Sequence, residues 1–177
     1  MTPFLPATIA ARDGRRAWVR PVRAADGPLV QQFVRELSPQ SRRNRFFGPL
    51  RELSPSQLER MTRFAAPAEL GLVALAGTAS PRIVAIAQHA VCDPPVAELA
   101  VAVADDWQRR GLGEQLVTRL LAYASRTGVA AMHGLVMATN QPMLALAAKL
   151  GFALDDDADP ALVRIARPLG RALAATV

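Results

Sequence analysis

Apolar residues recur along this chain with two periods, every second position or every third and fourth. Proline, glycine and aspartate mark where one period gives way to the other. Over residues 16–23, Ala17, Val19 and Pro21 alternate with Trp18, Arg20 and Val22, which predicts an opening strand with a proline near its end. Leu29, Val30, Phe33, Val34 and Leu37 then form a helical stripe, with Asp26 in the N-cap position, Pro28 in the first turn and Ser38-Pro39 as the stop. Ser54 as cap and Pro55 at the first helical position open a second helix that turns Leu58, Met61 and Phe64 inward. Residues 70–76 and 82–91 read as two apolar strands joined through 77–81, a connection of hairpin length.

Residues 96–104 are apolar with valine at alternating positions, end at Asp105 and Asp106, and read as a strand buried on both faces. A helix follows over 112–126, with Leu112, Leu116, Val117, Leu120, Leu121 and Ala124 on one stripe and Glu114, Arg119 and Arg126 off it; Gly128 ends it. Residues 130–138 form another buried strand. A helix over 140–150 has Asn140 as cap and Gly151 as its end, and two last strands lie near 152–154 and 162–168, separated by the turn-prone 155–160. The predicted order is β-α-α-β-β-β-α-β-α-β-β. Residues 1–15 read as a flexible extension, and 170–177 as a frayed tail or a dimer contact.

Between the strand at 96–104 and its helix lies Gln108-Arg109-Arg110-Gly111-Leu112-Gly113. Two glycines let backbone approach a ligand closely, and the first helical turn leaves N–H groups unpaired at the positive end of the helix dipole. With two guanidinium groups beside it, the turn reads as an anion cradle. It is not a dinucleotide fingerprint, because Leu116 stands where a third glycine is needed and no acidic residue ends the next strand. It is not a nucleoside-triphosphate loop either, since the only lysine of the chain, Lys149, lies elsewhere.

A Gln/Arg-x-x-Gly-x-Gly pattern after a buried strand resembles the pyrophosphate loop of the GNAT superfamily of acyl-CoA-dependent N-acyltransferases. The predicted element order is that family's order, so the resemblance extends over nearly the whole chain. Asn140, followed by Gly151-Phe152, resembles the family's second signature. Leu37-Ser38-Pro39, Arg45-Phe46-Phe47, 97–101, 107–113 and Asn140 with Met143-Leu144 are similar to the Pat-type bacterial protein-lysine acetyltransferases. The resemblance implies a single α/β (α+β) domain, with a mixed, mostly antiparallel sheet splayed between 96–104 and 130–138 and flanked by helices. It implies acetyl-CoA as acyl donor, held by Val101, Val103, Gln108, Arg109, Arg110, Gly111, Leu112, Gly113 and Asn140, the last on the pantetheine arm. It further implies that the backbone N–H of Val101 holds the thioester oxygen. Two departures stand out: Ala147 replaces the tyrosine that many members use as general acid, and Ala65-Ala66 replaces an Asp-Tyr pair usual in Pat-type chains.

The chemistry asks for a base, because an alkylamine is mostly ammonium at neutral pH and cannot attack a thioester. Glu98 is the one ionisable group inside the strand at 96–104, where burial would disfavour its charged form. Its parity is opposite to that of Leu99, Val101 and Val103, so a bulge or a splay is needed to aim both sets at one cleft. The expected reaction is direct attack of a primary amine on acetyl-CoA in a ternary complex.

Composition changes this picture little. A chain of 177 residues, 51% hydrophobic, suits one domain with one good core. No segment is long and apolar enough to span a bilayer or act as a leader, so a soluble cytoplasmic protein with no membrane partner is expected. One cysteine, Cys92, and two histidines, His89 and His133, exclude an internal disulfide and leave no metal site to expect. The formal charge of +6 comes from arginine and attracts polyanions. CoA is one such polyanion and nucleic acid another. In Arg42-Arg43-Asn44-Arg45-Phe46-Phe47 the aromatic pair reads as a core plug beneath solvated arginines, ahead of a nucleic-acid surface. The acidic residues are scattered apart from 155–159, which favours a protein lysine over a polyamine as acceptor. A small-molecule amine acetyltransferase and a non-catalytic acyl-CoA sensor are the competing readings, and the chain is expected to be a monomer or homodimer.

Overall fold

The computed structural model describes residues 4–170. Its strands are β1 (Ala7–Ala10), β2 (Arg16–Pro21), β3 (Leu70–Ala76), β4 (Arg82–Asp93), β5 (Val96–Val103), β6 (Ala131–Met137), β7 (Ala153–Asp156) and β8 (Leu162–Pro168). The helices are α1 (Gly27–Glu36), α2 (Pro39–Phe46), α3 (Pro55–Thr62), α4 (Leu112–Arg126) and α5 (Gln141–Lys149). One sheet runs β1-β2-β3-β4-β5-β6-β8-β7. Every neighbouring pair is antiparallel except β5–β6, which is parallel and is joined by the crossover helix α4.

Two elements depart from the sequence reading. Residues 7–10 belong to the sheet, with Thr8 opposite Trp18, so the expected extension is instead an edge strand in its middle part. Its only apolar alternation is Ile9, too short a signal for periodicity. Ser38-Pro39 does stop α1, but it also starts α2: the Ser38 hydroxyl accepts from Ser41 N–H and Pro39 takes the first helical position. Ser54 caps α3 the same way and completes a capping box with Gln57. The tail at 171–177 lies outside the described residues.

The core is continuous. Leu72, Leu116, Leu120 and Met132 are fully buried, and Val30, Phe33 and Val34 bring α1 onto the same cluster. By strand alternation, His89, Leu99, Val101 and Val103 face α4, where the His89 and Tyr123 rings lie 6.1 Å apart. Gln88, Ala90, Glu98 and Ala100 face α2 and α3.

Asp26, expected to cap α1 with its side chain, stands at the N-cap but makes no such bond. Its carboxylate is taken by Arg20, whose Nη1 and Nη2 each donate at 2.7 Å, and by the Arg23 N–H at 2.8 Å. The pair ties β2 to the entry of α1 with side chains 14% and 7% exposed. The Arg20 hydrogen bonds hold the Asp26 carboxyl below its usual value against the opposing effect of burial. A depressed carboxyl stabilises the fold above the unfolded value near 3.9 and loses that contribution as pH falls through the folded value. Asp26→Asn is therefore expected to cost about 3 kcal/mol at neutral pH, because it strands a buried guanidinium. In denaturant titrations the gap between variant and wild type should shrink as pH drops below about 4.

Candidate active site

The β5–β6 ladder runs only over Val96↔Ala131, Ala97↔Met132 and Glu98↔His133. Beyond Glu98 the strands part. At the fork, Gly134 lets β6 pass close to Leu99, since a β-carbon there would sit 3.0 Å from the Leu99 carbonyl oxygen. Ala104 N–H donates to Val84 O across to β4 at 2.9 Å. Antiparallel alternation from that bond turns the N–H groups of Val103 and Val101 the other way, toward the opening. The splay thus exposes backbone donors in mid-sheet.

A cleft of about 1270 Å³ fills the opening. It is lined by Glu98, Val101 and Val103 of β5, by Gln108, Arg109, Gly111, Leu112 and Gly113, and by Asn140. The parity conflict of Glu98 is resolved by the splay; the register shift lies in β4, between Val91 and Asp93, and β5 itself is regular over this stretch. Glu98 is exposed. The expectation that strand burial desolvates it is therefore not met, because the face it occupies carries alanines and opens into the cleft.

The cradle is set by backbone. Arg109 has φ 57° and Gly111 φ 81°, both left-handed, and this double reversal swings the chain from the turn after β5 into α4. No side chain caps α4, so its first-turn N–H groups have no local acceptor and face the cleft. Leu112 contributes backbone only, its side chain being 1% exposed in the core. Trp107 packs beneath, 4% exposed, with the Arg15 guanidinium 4.2 Å above its ring.

Hydrogen bonds fix the loop on α2. Asp105 accepts from Ser38 N–H at 2.9 Å and from the Ser38 and Ser41 hydroxyls at 2.7 Å. Burial pushes its carboxyl up, but these donors outweigh it and hold the group below its usual value. Gln108 Nε2 donates to Ser41 Oγ at 2.9 Å and to Val103 O at 3.0 Å. Asn140 accepts from Met143 N–H at 3.4 Å and so starts α5 at the cleft wall.

This combination of a splayed parallel pair with an uncapped glycine turn has relatives. The acetyltransferase (GNAT) family model matches residues 32–152. The chain belongs to this family. It is accordingly an N-acetyltransferase, and acetyl-CoA is the donor the family uses. An acetyltransferase of Pseudomonas aeruginosa is 35% identical over 149 residues, covering 83% of this chain and 80% of that protein. Among solved structures, the GNAT domain of S. lividans PAT superposes with a TM-score of 0.84 at 26% identity, over 93% of this chain and 97% of that one. The cAMP-binding acyltransferase from Mycobacterium smegmatis shares the fold at a TM-score of 0.65 and 22% identity; the match covers 93% of this chain and 47% of that longer one.

The glycine turn of this GNAT chain fits a diphosphate, but not with the two arginines expected. Arg110 turns away: its Nε donates to Asp106 O and pairs with Asp13, both at 3.1 Å, and it does not line the cleft. Arg12 takes its place. Its N–H donates to Arg110 O at 2.9 Å, its side chain lies over Gly111, and it lines the cleft with Arg109. Nothing local marked Arg12, since it lies about a hundred residues from the loop and reaches it through β1. Glu114 in the first turn is neutralised by Lys149 at 2.8 Å and Arg12 at 3.2 Å, and Lys149 hydrogen bonding keeps its carboxyl below the usual value. His89 and His133 lie outside the cleft. His89 Nε2 meets Ala68 O at 3.1 Å, and His133 Nε2 meets Cys92 Sγ at 3.1 Å. Phe46 packs against the core as expected, whereas Phe47 is 46% exposed.

The two arginines separate in a binding titration. Arg12→Ala is expected to weaken acetyl-CoA binding by about tenfold, the scale of one charge-assisted phosphate contact, while Arg110→Ala leaves it within about twofold. Calorimetry showing the reverse order would return Arg110 to the cradle.

Proposed function

We propose that this GNAT chain acetylates a primary amine, the side chain of a protein lysine, by direct attack on acetyl-CoA in a ternary complex. The observation that carries the reading is the fork after Glu98, where a carboxylate and the N–H of Val101 open into one cleft beside an uncapped helix start. Arg12, Arg109 and the N–H groups of Gly111, Leu112 and Gly113 hold the diphosphate; Val103, Gln108 and Asn140 line the path of the pantetheine arm. Acetyl-CoA supplies the activated acyl group. Val101 N–H donates to the thioester oxygen as charge develops there, a contribution of a few kcal/mol on the scale of about 3 per oxyanion donor. Glu98 removes the proton that leaves the attacking nitrogen as the N–C bond forms and the C–S bond breaks. Ala147 is 1% exposed and offers no hydroxyl to the departing thiolate.

The acceptor is inferred from charge and likeness. Arg42 and Arg43 lie on α2, whose start is pinned to the donor loop through Asp105, while Arg45 is turned into the cavity walls beside Glu98; the likeness to the S. lividans PAT domain extends over this part of the chain. Such a surface attracts acidic neighbours of a lysine and repels polyamines. Among the described residues no helix is long and apolar enough to cross a membrane, which is compatible with the cytoplasmic location we assign.

Glu98→Gln keeps shape and removes proton acceptance. Turnover should fall by about a hundredfold with acetyl-CoA affinity unchanged. Tight acetyl-CoA binding by wild type, without amine-dependent thiol release, would instead favour the sensor reading. In a competition panel, lysine peptides with acidic flanks should outcompete spermidine, and their kcat/KM should fall as salt shortens the screening length to about 10 Å at 0.1 M. Spermidine winning with salt-independent kinetics would overturn the lysine assignment.

A further inference from the structure

Beside the donor cleft lies a second cavity of about 400 Å³, between the α2–α3 segment and the outer face of β4 and β5. The two share Arg45, Glu98 and Ala100 in their walls, so they meet at the candidate base. The outer wall carries Phe46, Leu53, Met61 and Phe64 together with Gln57, Arg60, Arg63 and Glu69. Phe64 can settle there because β3 has Gly71 beneath it; any β-carbon at 71 would overlap the Phe64 ring.

The floor is a four-residue patch. Register places Gln88 opposite Ala100 and Ala90 opposite Glu98, all on one face of the sheet. Polar side chains occupy one diagonal and methyl groups the other, so the space between amide and carboxylate, about 7 Å across at the β-carbons, stays open. Gln88 Oε1 is shut off from solvent and has no hydrogen-bond partner among the described residues. Buried acceptors are nearly always paired, so an unengaged amide oxygen on a cavity wall beside a base points to something that enters.

We propose that this cavity takes the alkyl arm of the acceptor amine, and that Gln88 holds the amine nitrogen beside Glu98 by accepting one of its N–H groups. The assignment rests on the acetyl-transfer reading above and deepens it. Phe46, Leu53, Met61 and Phe64 suit a run of methylenes, and the volume lies at the small end of ligand sites, enough for a lysine arm and too little for a bulky polycyclic amine. The terminal torsion of glutamine is broad, so the amide can turn its oxygen into the cavity. A neutral acceptor is the right chemistry here. An amide oxygen binds an N–H of the ammonium and of the free amine alike, and leaves the nitrogen lone pair for the thioester; Glu69, the other carboxylate of the lining, already accepts from Ala65 N–H at 2.9 Å. Arg60 on the same wall makes no ion pair among the described residues and disfavours a second ammonium.

The test uses the whole chain with a peptide containing one lysine, and n-butylamine as the bare arm. Gln88→Leu should raise KM for the peptide, and lower kcat/KM for butylamine, by about tenfold or more, the scale of a lost hydrogen bond to an amine. Acetyl-CoA affinity should stay within about twofold, and the melting temperature should hold or rise, because a buried unpaired oxygen has been removed. Ala90→Leu, which fills the floor without touching the donor cleft, should reproduce the KM effect. Unchanged KM in both variants, or KM rising only in step with lost acetyl-CoA affinity, overturns the proposal; so does Gln88→Leu melting lower with normal KM, which would make the amide a structural group. Normal wild-type turnover with unaffected variants sinks this inference alone. Absent wild-type turnover, with peptide binding to the CoA-loaded protein that Gln88→Leu weakens about tenfold, sinks the acetyl-transfer reading and keeps the cavity; absence of both turnover and peptide binding sinks the two together.

Discussion

A parallel pair of strands that stays together for only three residues governs this molecule. Backbone donors in mid-sheet are ordinarily paired, and leaving them open costs about as much as a lost hydrogen bond each. The β5–β6 fork leaves them open anyway, because α4 must cross from the end of β5 to the start of β6 and packs its buried Leu116–Leu120 stripe against β4 and β5. The same crossover delivers the uncapped start of α4 to the mouth of the fork. Two sets of free N–H groups, one from a strand and one from a helix, thus converge on a single cleft without any side chain having to carry the geometry.

What holds that convergence in place is a short set of polar ties outside the cleft. Asp105 grips Ser38 and Ser41, and Gln108 spans Ser41 and the Val103 carbonyl, so the start of α2 cannot move independently of the donor loop. Asp13 and Asp106 draw Arg110 off the cradle, while Arg15 covers Trp107 from outside. Arginines that look interchangeable in a row are sorted by the Asp13 carboxylate and the Asp106 carbonyl oxygen. Arg109 and Arg12 remain for the cleft, and Arg110 becomes part of the scaffold.

The element order from β2 onward, α2 apart, was legible because its signals are local and repeated, whereas the splay was expected only from the family resemblance. Residues 96–104 and 112–126 have clean periods, and Gly111 and Gly113 mark the reversal between them. Ser54-Pro55 announced α3 because an apolar stripe follows it. Ser38-Pro39 carries the same cap and proline, yet α2 is almost wholly polar and buries no residue fully, so no stripe separates it from a loop. Strand β1 is four residues long with one buried side chain, and its role at the cradle, through Arg12, is a tertiary fact about which edge of the sheet lies beside α4. Glu98 was legible as the lone ionisable group of its strand. Its exposure was not, since that depends on how little the opposite face covers it.

That thin cover comes from side-chain volume. On the face toward α2 and α3, β5 offers Ala100 and Ala102 and β4 offers Ala90, where valine or leucine would bury more area and add about 0.8 kcal/mol per methylene. Larger residues there would fill the floor between Gln88 and Glu98 and close the passage at Arg45. The opposite face shows no such economy: Leu99, Val101 and Val103 pack toward α4, and the strand is well supported from that side. One strand therefore does two jobs by parity, stability through its odd positions and access through its even ones. The fork after Glu98 is what lets both sets border the same space.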